Sequence, residues 1–396
     1  MTFNDSITNL EAQTATKRLV SIDLLRGLVM LLMALDHVRS FFSNPGFDAL
    51  DISQSNLPLF FTRWVTHLCA PSFVFLAGIG VYLSLQRGKN RQELTYFLLT
   101  RGVWLIFLDL TVVSFSWIFA PGIFILGVLW VIGWSMIVLA ALIHLPVRSV
   151  VIVGILLIAG HNLFDGISAE NLGYLDWLWS FLHERNMFMP FPGILLIIGY
   201  PLVPWVGVMA VGYGWGQVFS KTKKQRLSWL LNVGLGLILS FILLRGINIY
   251  GDPQPWSWKS NLTKTFLSFI DCEKYPPSLL YLLITLGMAL LILYVFEVKK
   301  FRFLKPLITF GRVPLLFYLI HLWLIHVTAI VLSLPKYGLK AVFLPYLNKS
   351  AMPTEYGYNL LHVYMIWLVI IIVIYPICNW FCNYKSSYEY WWLKYF

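Results

Sequence analysis

Charge is scarce in this chain. Only 12% of its 396 residues are Asp, Glu, Lys or Arg, about half the share of a soluble domain, while 59% are hydrophobic. With a mean hydropathy of +0.74, an ordinary soluble enzyme is excluded and an integral membrane protein is expected. Cysteine is scarce too. Cys69, Cys272, Cys378 and Cys382 form no Cys-x-x-Cys pair and have no histidine at ligand spacing, so neither a zinc site nor a disulfide framework is expected, and no metal is assigned. Internal repeats are lacking, which weighs against a repeat-built transporter. The first residues lack the apolar core and small-residue cleavage site of a signal peptide. Residues 1–16 therefore read as a disordered cytoplasmic lead and 17–396 as a single transmembrane domain.

What is present instead is a set of about ten apolar runs, at 24–42, 59–85, 94–119, 122–145, 147–163, 192–219, 227–244, 278–296, 307–334 and 358–377. Each approaches the roughly 20 residues that a helix needs to cross a bilayer. The expected fold is an all-α polytopic bundle of ten or eleven spans. The 29 Lys and Arg against 18 Asp and Glu give a net charge of +11. The basic residues gather at the ends of the runs, where they report topology and not a nucleic-acid partner. One side collects Lys17 and Arg18, Arg87 to Arg91, Arg148, Lys221 to Arg226, Lys299 to Lys305, Lys385 and Lys394. The other collects Asp48, Asp51, Asp165, Glu170, Asp176 and Glu184. Strict alternation implies an even number of spans with both termini cytoplasmic. The loop 335–357 runs against it, because Lys336, Lys340 and Lys349 would lie outside, and one re-entrant segment there would change the count by one. The outer loops 164–191 and 246–277 are long enough to be functional.

Ionisable residues inside a span are costly to hold in lipid and point to function. The first run carries the densest set, Asp23, Arg26, Asp36, His37 and Arg39. Eleven helical steps bring His37 to within roughly 20° of the face of Arg26 and about 16 Å further along. Asp23 shares that face, so one stripe runs from a cation near the cytoplasmic surface to an imidazole in the outer half of the bilayer. His67 enters the second run at a comparable depth, so the two histidines could meet. A histidine in a bundle can also be a plain helix-to-helix tie, and that reading is given to His144, His161, His326 and His362. His37 has Asp36, Arg39 and Arg26 on its own helix, which favours a functional reading; His67 and His321 fall between. Arg39, Arg63 and Asp109 are open to mutual ion pairing or snorkelling. Pro201-Leu-Val-Pro204-Trp205 breaks a run near its middle, as a pocket wall or a packing kink would.

Arg26, ten residues, then His37 resembles the R-x10-H motif of the transmembrane acyltransferase superfamily. Ser21-Ile-Asp-Leu-Leu-Arg-Gly27, Asp36-His-x-Arg39, Thr66-His-Leu-Cys-Ala-Pro71 with its continuation to Gly78, Tyr200-Pro-Leu-Val-Pro-Trp-x-Gly207, Lys274-Tyr-Pro-Pro-Ser-Leu279 and Gly311-Arg-Val-Pro-Leu-x-Phe-Tyr-x-x-His321 resemble bacterial membrane proteins with a heparan-alpha-glucosaminide N-acetyltransferase catalytic domain. These six motifs span nearly the whole chain. The resemblance implies a bacterial inner-membrane protein that uses cytoplasmic acetyl-CoA as donor and an amino sugar or other saccharide as acceptor at the periplasmic face. The candidate residues on this reading are Arg26, Asp23 and Arg312 at the donor, His37, His67 and Asp36 at the chemistry, and Arg39, Trp205, Lys274, Tyr275 and His321 at the acceptor. In the lysosomal heparan branch the essential histidine precedes an Ala-Asp-Leu-Val-Phe-Pro stretch. This chain has Thr66-His67-Leu-Cys-Ala-Pro71 there and no histidine in the preceding loop, so the role falls to His37 or His67.

The expected partners are acetyl-CoA, a saccharide and the lipid bilayer, with a homodimer as a candidate assembly and no nucleic acid. An extended phosphopantetheine arm is of the same order as the Arg26 to His37 separation. His37 would act as base or acyl carrier, with Asp36 or His67 setting its tautomer. The rival reading is a secondary transporter or exporter that uses Asp36, His37 and His67 as a proton relay.

Overall fold

The computed structural model describes residues 19–43, 47–299, 304–338 and 355–396. The expected lead 1–16 and most of the loop 335–357 lie outside the described residues. Helix α1 (Val20–Phe42) stands at the centre of the bundle. Next, α2 (Leu57–Val65) is capped by the Asn56 side chain and runs on, through one tight turn, into α3 (Cys69–Gln86). A capping box of Asn90 and Glu93 opens α4 (Arg91–Leu108), satisfying two orphan amides reciprocally. α4 widens into a π turn at Asp109–Val113 before a last helical turn, Ser114–Ile118. The chain continues through α5 (Val128–Leu142), α6 (Val147–Gly160), α7 (Asp176–Leu182), α8 (Val203–Trp215), α9 (Lys223–Ile247) and α10 (Leu262–Ile270). It ends with α11 (Leu279–Val298), α12 (Lys305–Arg312), α13 (Pro314–Tyr337) and α14 (Leu360–Ser387).

Seven of the described helical segments are long and apolar enough to cross a membrane: Leu57–Gln86, Arg91–Ile118, Val147–Phe164, Lys223–Ile247, Leu279–Val298, Pro314–Tyr337 and Leu360–Ser387. The chain is thus a multi-pass membrane protein. Three of the ten expected spans do not qualify by length and apolarity. α1 is long enough at 23 residues but carries Asp23, Arg26, Asp36 and Arg39. α5 and α8 have 15 and 13 residues, about 22 and 20 Å of helix against a hydrocarbon layer of about 30 Å.

The all-helical expectation needs one correction. Runs 122–145 and 192–219 begin as strands. β1 (Ile123–Leu126) pairs in parallel with β3 (Ile194–Ile198), which pairs antiparallel with β2 (Asn186–Phe191). Both misread segments are apolar, rich in isoleucine and bounded by glycine, and hydropathy alone cannot separate such a strand from a helix. The ninth expected run is broken as well. Val313 leaves helical geometry at φ −129° and ψ 49°, because Pro314 disfavours the α conformation in the residue before it.

Close approach fixes the lower part of the bundle. A Cβ at Gly27 of α1 would overlap the Leu307 carbonyl of α12, and one at Gly311 would overlap the Asp23 carbonyl. This backbone contact sets Arg26 and Arg312 side by side.

Candidate functional site

Two chambers stack along α1. The first holds about 300 Å³, with Arg26, Arg101, Arg312 and Lys385 on a lining otherwise rich in apolar residues such as Met30 and Leu129. No Asp or Glu side chain among the described residues lines it. Asp23 is buried just behind, 3.6 Å from both Arg26 Nη1 and Arg312 Nε, and Arg26 also donates to the Gly311 carbonyl at 3.0 Å. Arg312 Nε makes no hydrogen bond. Asp23 thus orients the two arginines without itself facing the space. Four cations on one lining suit a polyanion, because charge-assisted hydrogen bonds from guanidinium to phosphate are short and strong.

The second chamber, about 150 Å³, shares Phe73, Val128 and Tyr318 with the first, so the two abut across these residues. Its walls carry Asp36, His37, Arg39, Arg63, Arg185, Tyr200, Lys274 and Tyr275. The stripe read from the sequence therefore faces two adjoining chambers, Arg26 in one and His37 in the other.

His37 Nδ1 lies 2.8 Å from His321 Nε2, and His321 Nδ1 lies 3.0 Å from the Phe317 carbonyl. A carbonyl only accepts, so His321 carries its proton on Nδ1. With both rings neutral, His321 Nε2 is the acceptor and His37 donates from Nδ1. The lone pair of His37 is then on Nε2. An imidazole held in one tautomer by a second oriented group can take a proton or accept an acyl group. His321 is fully buried, and Trp117 presses edge-on against His37 at 4.8 Å, so the ring is fixed from two sides.

Other expected site residues fall differently. Asp36 does not turn to His37; it accepts from Arg39 at 3.0 Å and from Arg63 at 2.7 Å, since adjacent helical side chains point about 100° apart. The possible partner His67 is buried on neither chamber, its Nε2 unpartnered. Its ring packs 5.3 Å from Tyr281, whose hydroxyl donates to its carbonyl. Trp205 is fully buried behind Tyr200, 5.6 Å away, while the break before it does line the second chamber through Gly199 and Tyr200. Asp109 pairs with neither Arg39 nor Arg63. It accepts from the Gly127 and Trp130 amides at 2.7 and 2.9 Å and so caps α5.

Lys274 and Tyr275 line the second chamber as a pair. Arg185 lies 4.6 Å and Lys274 Nζ 5.0 Å from the centre of the Tyr275 ring, and Tyr200 meets Tyr275 hydroxyl to hydroxyl at 3.4 Å. Burial pushes the Tyr275 phenol up, but Lys274 and Arg63 outweigh it and leave it below the ordinary value. Three contributors escaped the sequence reading. Arg101 sits inside an apolar run and could have been flagged as an ionisable residue in a span. Lys385 and Arg185 carry no local signal of their own.

Residues 18–255, more than half of the chain, match the model of the family described as heparan-alpha-glucosaminide N-acetyltransferase, catalytic. The chain belongs to this family. A membrane acetyltransferase-type function follows from that membership. No curated protein matches the chain. In this heparan-alpha-glucosaminide N-acetyltransferase family member the matched part supplies Arg26, His37, Arg63 and Tyr200, whereas Lys274, Tyr275, Arg312 and His321 come from beyond it.

Proposed function

We propose that the chain transfers acetyl from acetyl-CoA, bound by its phosphates in the basic chamber, to an amine or hydroxyl of a saccharide in the second chamber. The observation that carries this reading is the chain Phe317 carbonyl, His321, His37, which ends on the wall of the second chamber. His37 Nε2 takes the proton from the acceptor nitrogen or oxygen as that atom forms its bond to the thioester carbonyl. The tetrahedral intermediate then collapses, the carbon–sulfur bond breaks, and the imidazolium returns the proton to the departing CoA sulfur. Arg26, Arg101, Arg312 and Lys385 hold the donor phosphates, and Asp23 keeps Arg26 and Arg312 aligned. Arg39, Arg63, Lys274 and Tyr275 position the acceptor, while Asp36 holds the first two in place. His67 has no access to the reacting atoms in this scheme.

The basic chamber faces the cytoplasm in this reading. Support comes from the basic ends of the apolar runs, which collect on one side, and which also support ten crossings, with α1, α5 together with β1, and α8 together with β3 as the three additional ones. The test is acetyl transfer from labelled acetyl-CoA in proteoliposomes. His37→Ala is expected to abolish transfer while leaving CoA binding by calorimetry nearly intact. Full transfer by His37→Ala would remove His37 from the chemistry, and no transfer by the parent would return the chain to the transporter reading.

A further inference from the structure

Outside both chambers, three metal-ligating side chains converge at the end of α6. His161 follows α6 directly, Asp165 lies one helical turn on, and His183 follows α7. One donor atom from each lies within 4.8 Å of those of the other two. His161 and His183 are only 2% and 5% exposed. Neither ring nitrogen of His161 has a hydrogen-bond partner at normal geometry, although the Pro277 carbonyl is near. An imidazole this deep with two unpartnered nitrogens is costly, and a plain helix-to-helix tie does not account for it.

We propose that His161, Asp165 and His183 bind one divalent transition-metal ion, zinc by the chemistry of the donors. Two imidazoles and a carboxylate form a common three-ligand zinc set, with water as the fourth ligand. Tetrahedral coordination needs donors about 3.4 Å apart, against the 4.8 Å within which these lie. One outer partner of the usual kind is in place. Asn162 Nδ2 donates to Asp165 Oδ2 at 2.8 Å, while His183 Nε2, 3.6 Å from Asp165 Oδ1, donates to the His161 carbonyl at 2.8 Å, a bond that ligation through Nε2 replaces. Asn162 Oδ1 also accepts from the Leu279 amide at 2.9 Å, which ties the cluster to the first turn of α11. Two residues after His183 comes Arg185, the cation over Tyr275 in the second chamber. The ion is therefore a staple that joins α6, α11 and the loop carrying Arg185.

The test uses the full chain in detergent, stripped of metal with chelator. Zinc is titrated by calorimetry, and cobalt by its visible absorption, which reports tetrahedral geometry. One equivalent is expected to bind, and zinc is expected to raise the melting temperature. His161→Ala and His183→Ala should each weaken binding by more than the roughly 10- to 100-fold that loss of an outer partner costs. Asp165→Asn, which keeps the shape, covers the case in which a histidine variant fails to fold. His362→Ala, on the exposed side of α14, should bind as the parent does. Absence of binding by the parent, or binding unchanged in Asp165→Asn and in whichever histidine variants fold, would overturn the proposal.

Discussion

The two chambers along α1 differ in how they treat charge. The larger one presents four cations on its lining, with Asp23 set behind the wall, 3.6 Å from Arg26 and Arg312. The smaller one has a carboxylate on its own wall, beside Arg39, Arg63, Arg185 and Lys274: Asp36 takes both Arg39 and Arg63, and His37 is held by His321. Cations turned to the space, with their carboxylate behind them, suit recognition of an anion through charge-assisted hydrogen bonds. Compensated, hydrogen-bonded groups suit chemistry, because their orientation is set before the reaction begins. Phe73, Val128 and Tyr318 mark the boundary between the two regimes.

That contrast can be broken from either side. The largest effect is expected for His37→Ala, a loss of transfer by roughly 10²- to 10⁴-fold for removal of a general base, read in proteoliposomes with CoA affinity unchanged. Next comes His321→Ala. It leaves His37 in place but frees its tautomer and orientation, so kcat should fall by about 100-fold with little change in KM for acetyl-CoA. If His321→Ala instead raised KM for the donor and spared kcat, the division of labour between the chambers would be wrong. Arg26→Ala or Arg312→Ala should act on the other chamber alone. Charged hydrogen bonds contribute about 1.5–3 kcal/mol, so CoA affinity should drop roughly ten- to a hundredfold by calorimetry. The parent's affinity should also fall with added salt.

The smallest effect concerns stability at the loop 246–277. Burial, and then Asp252, push the Asp271 carboxyl up to about 7, far above the ordinary value near 3.9. The folded state then holds this proton more tightly than the unfolded one. The contribution is present in full below about pH 4 and is lost as pH rises towards 7. Melting temperatures between pH 5 and 7.5 should therefore fall less steeply for Asp271→Asn than for the parent. Equal slopes would show that the carboxyl is not held neutral.

Legibility in the sequence followed the range of the interaction. The stripe of Arg26 and His37 could be read because both lie on one helix, where 3.6 residues per turn decides which side chains share a face. The break at Pro201 to Pro204 was readable for a similarly local reason. The strands β1 and β3 were not, because a short apolar run is compatible with either period and only pairing across residues 123–126 and 194–198 selects the strand. Arg101 was visible in principle but lay in no motif.

The sequence by itself determined the solvent this chain folds in, the helical character of most of it, the family and the stripe along α1, since each rests on composition or on order within one segment. Only the tertiary structure decided that His37 meets His321 and not His67, that Asp36 serves two arginines, and that His161, Asp165 and His183 converge. The partners His37 and His321 are 284 residues apart, and no periodicity extends across separate helices. Which faces meet depends on how closely the backbones pack, as Gly27 and Gly311 allow, and that is a property of the assembled bundle.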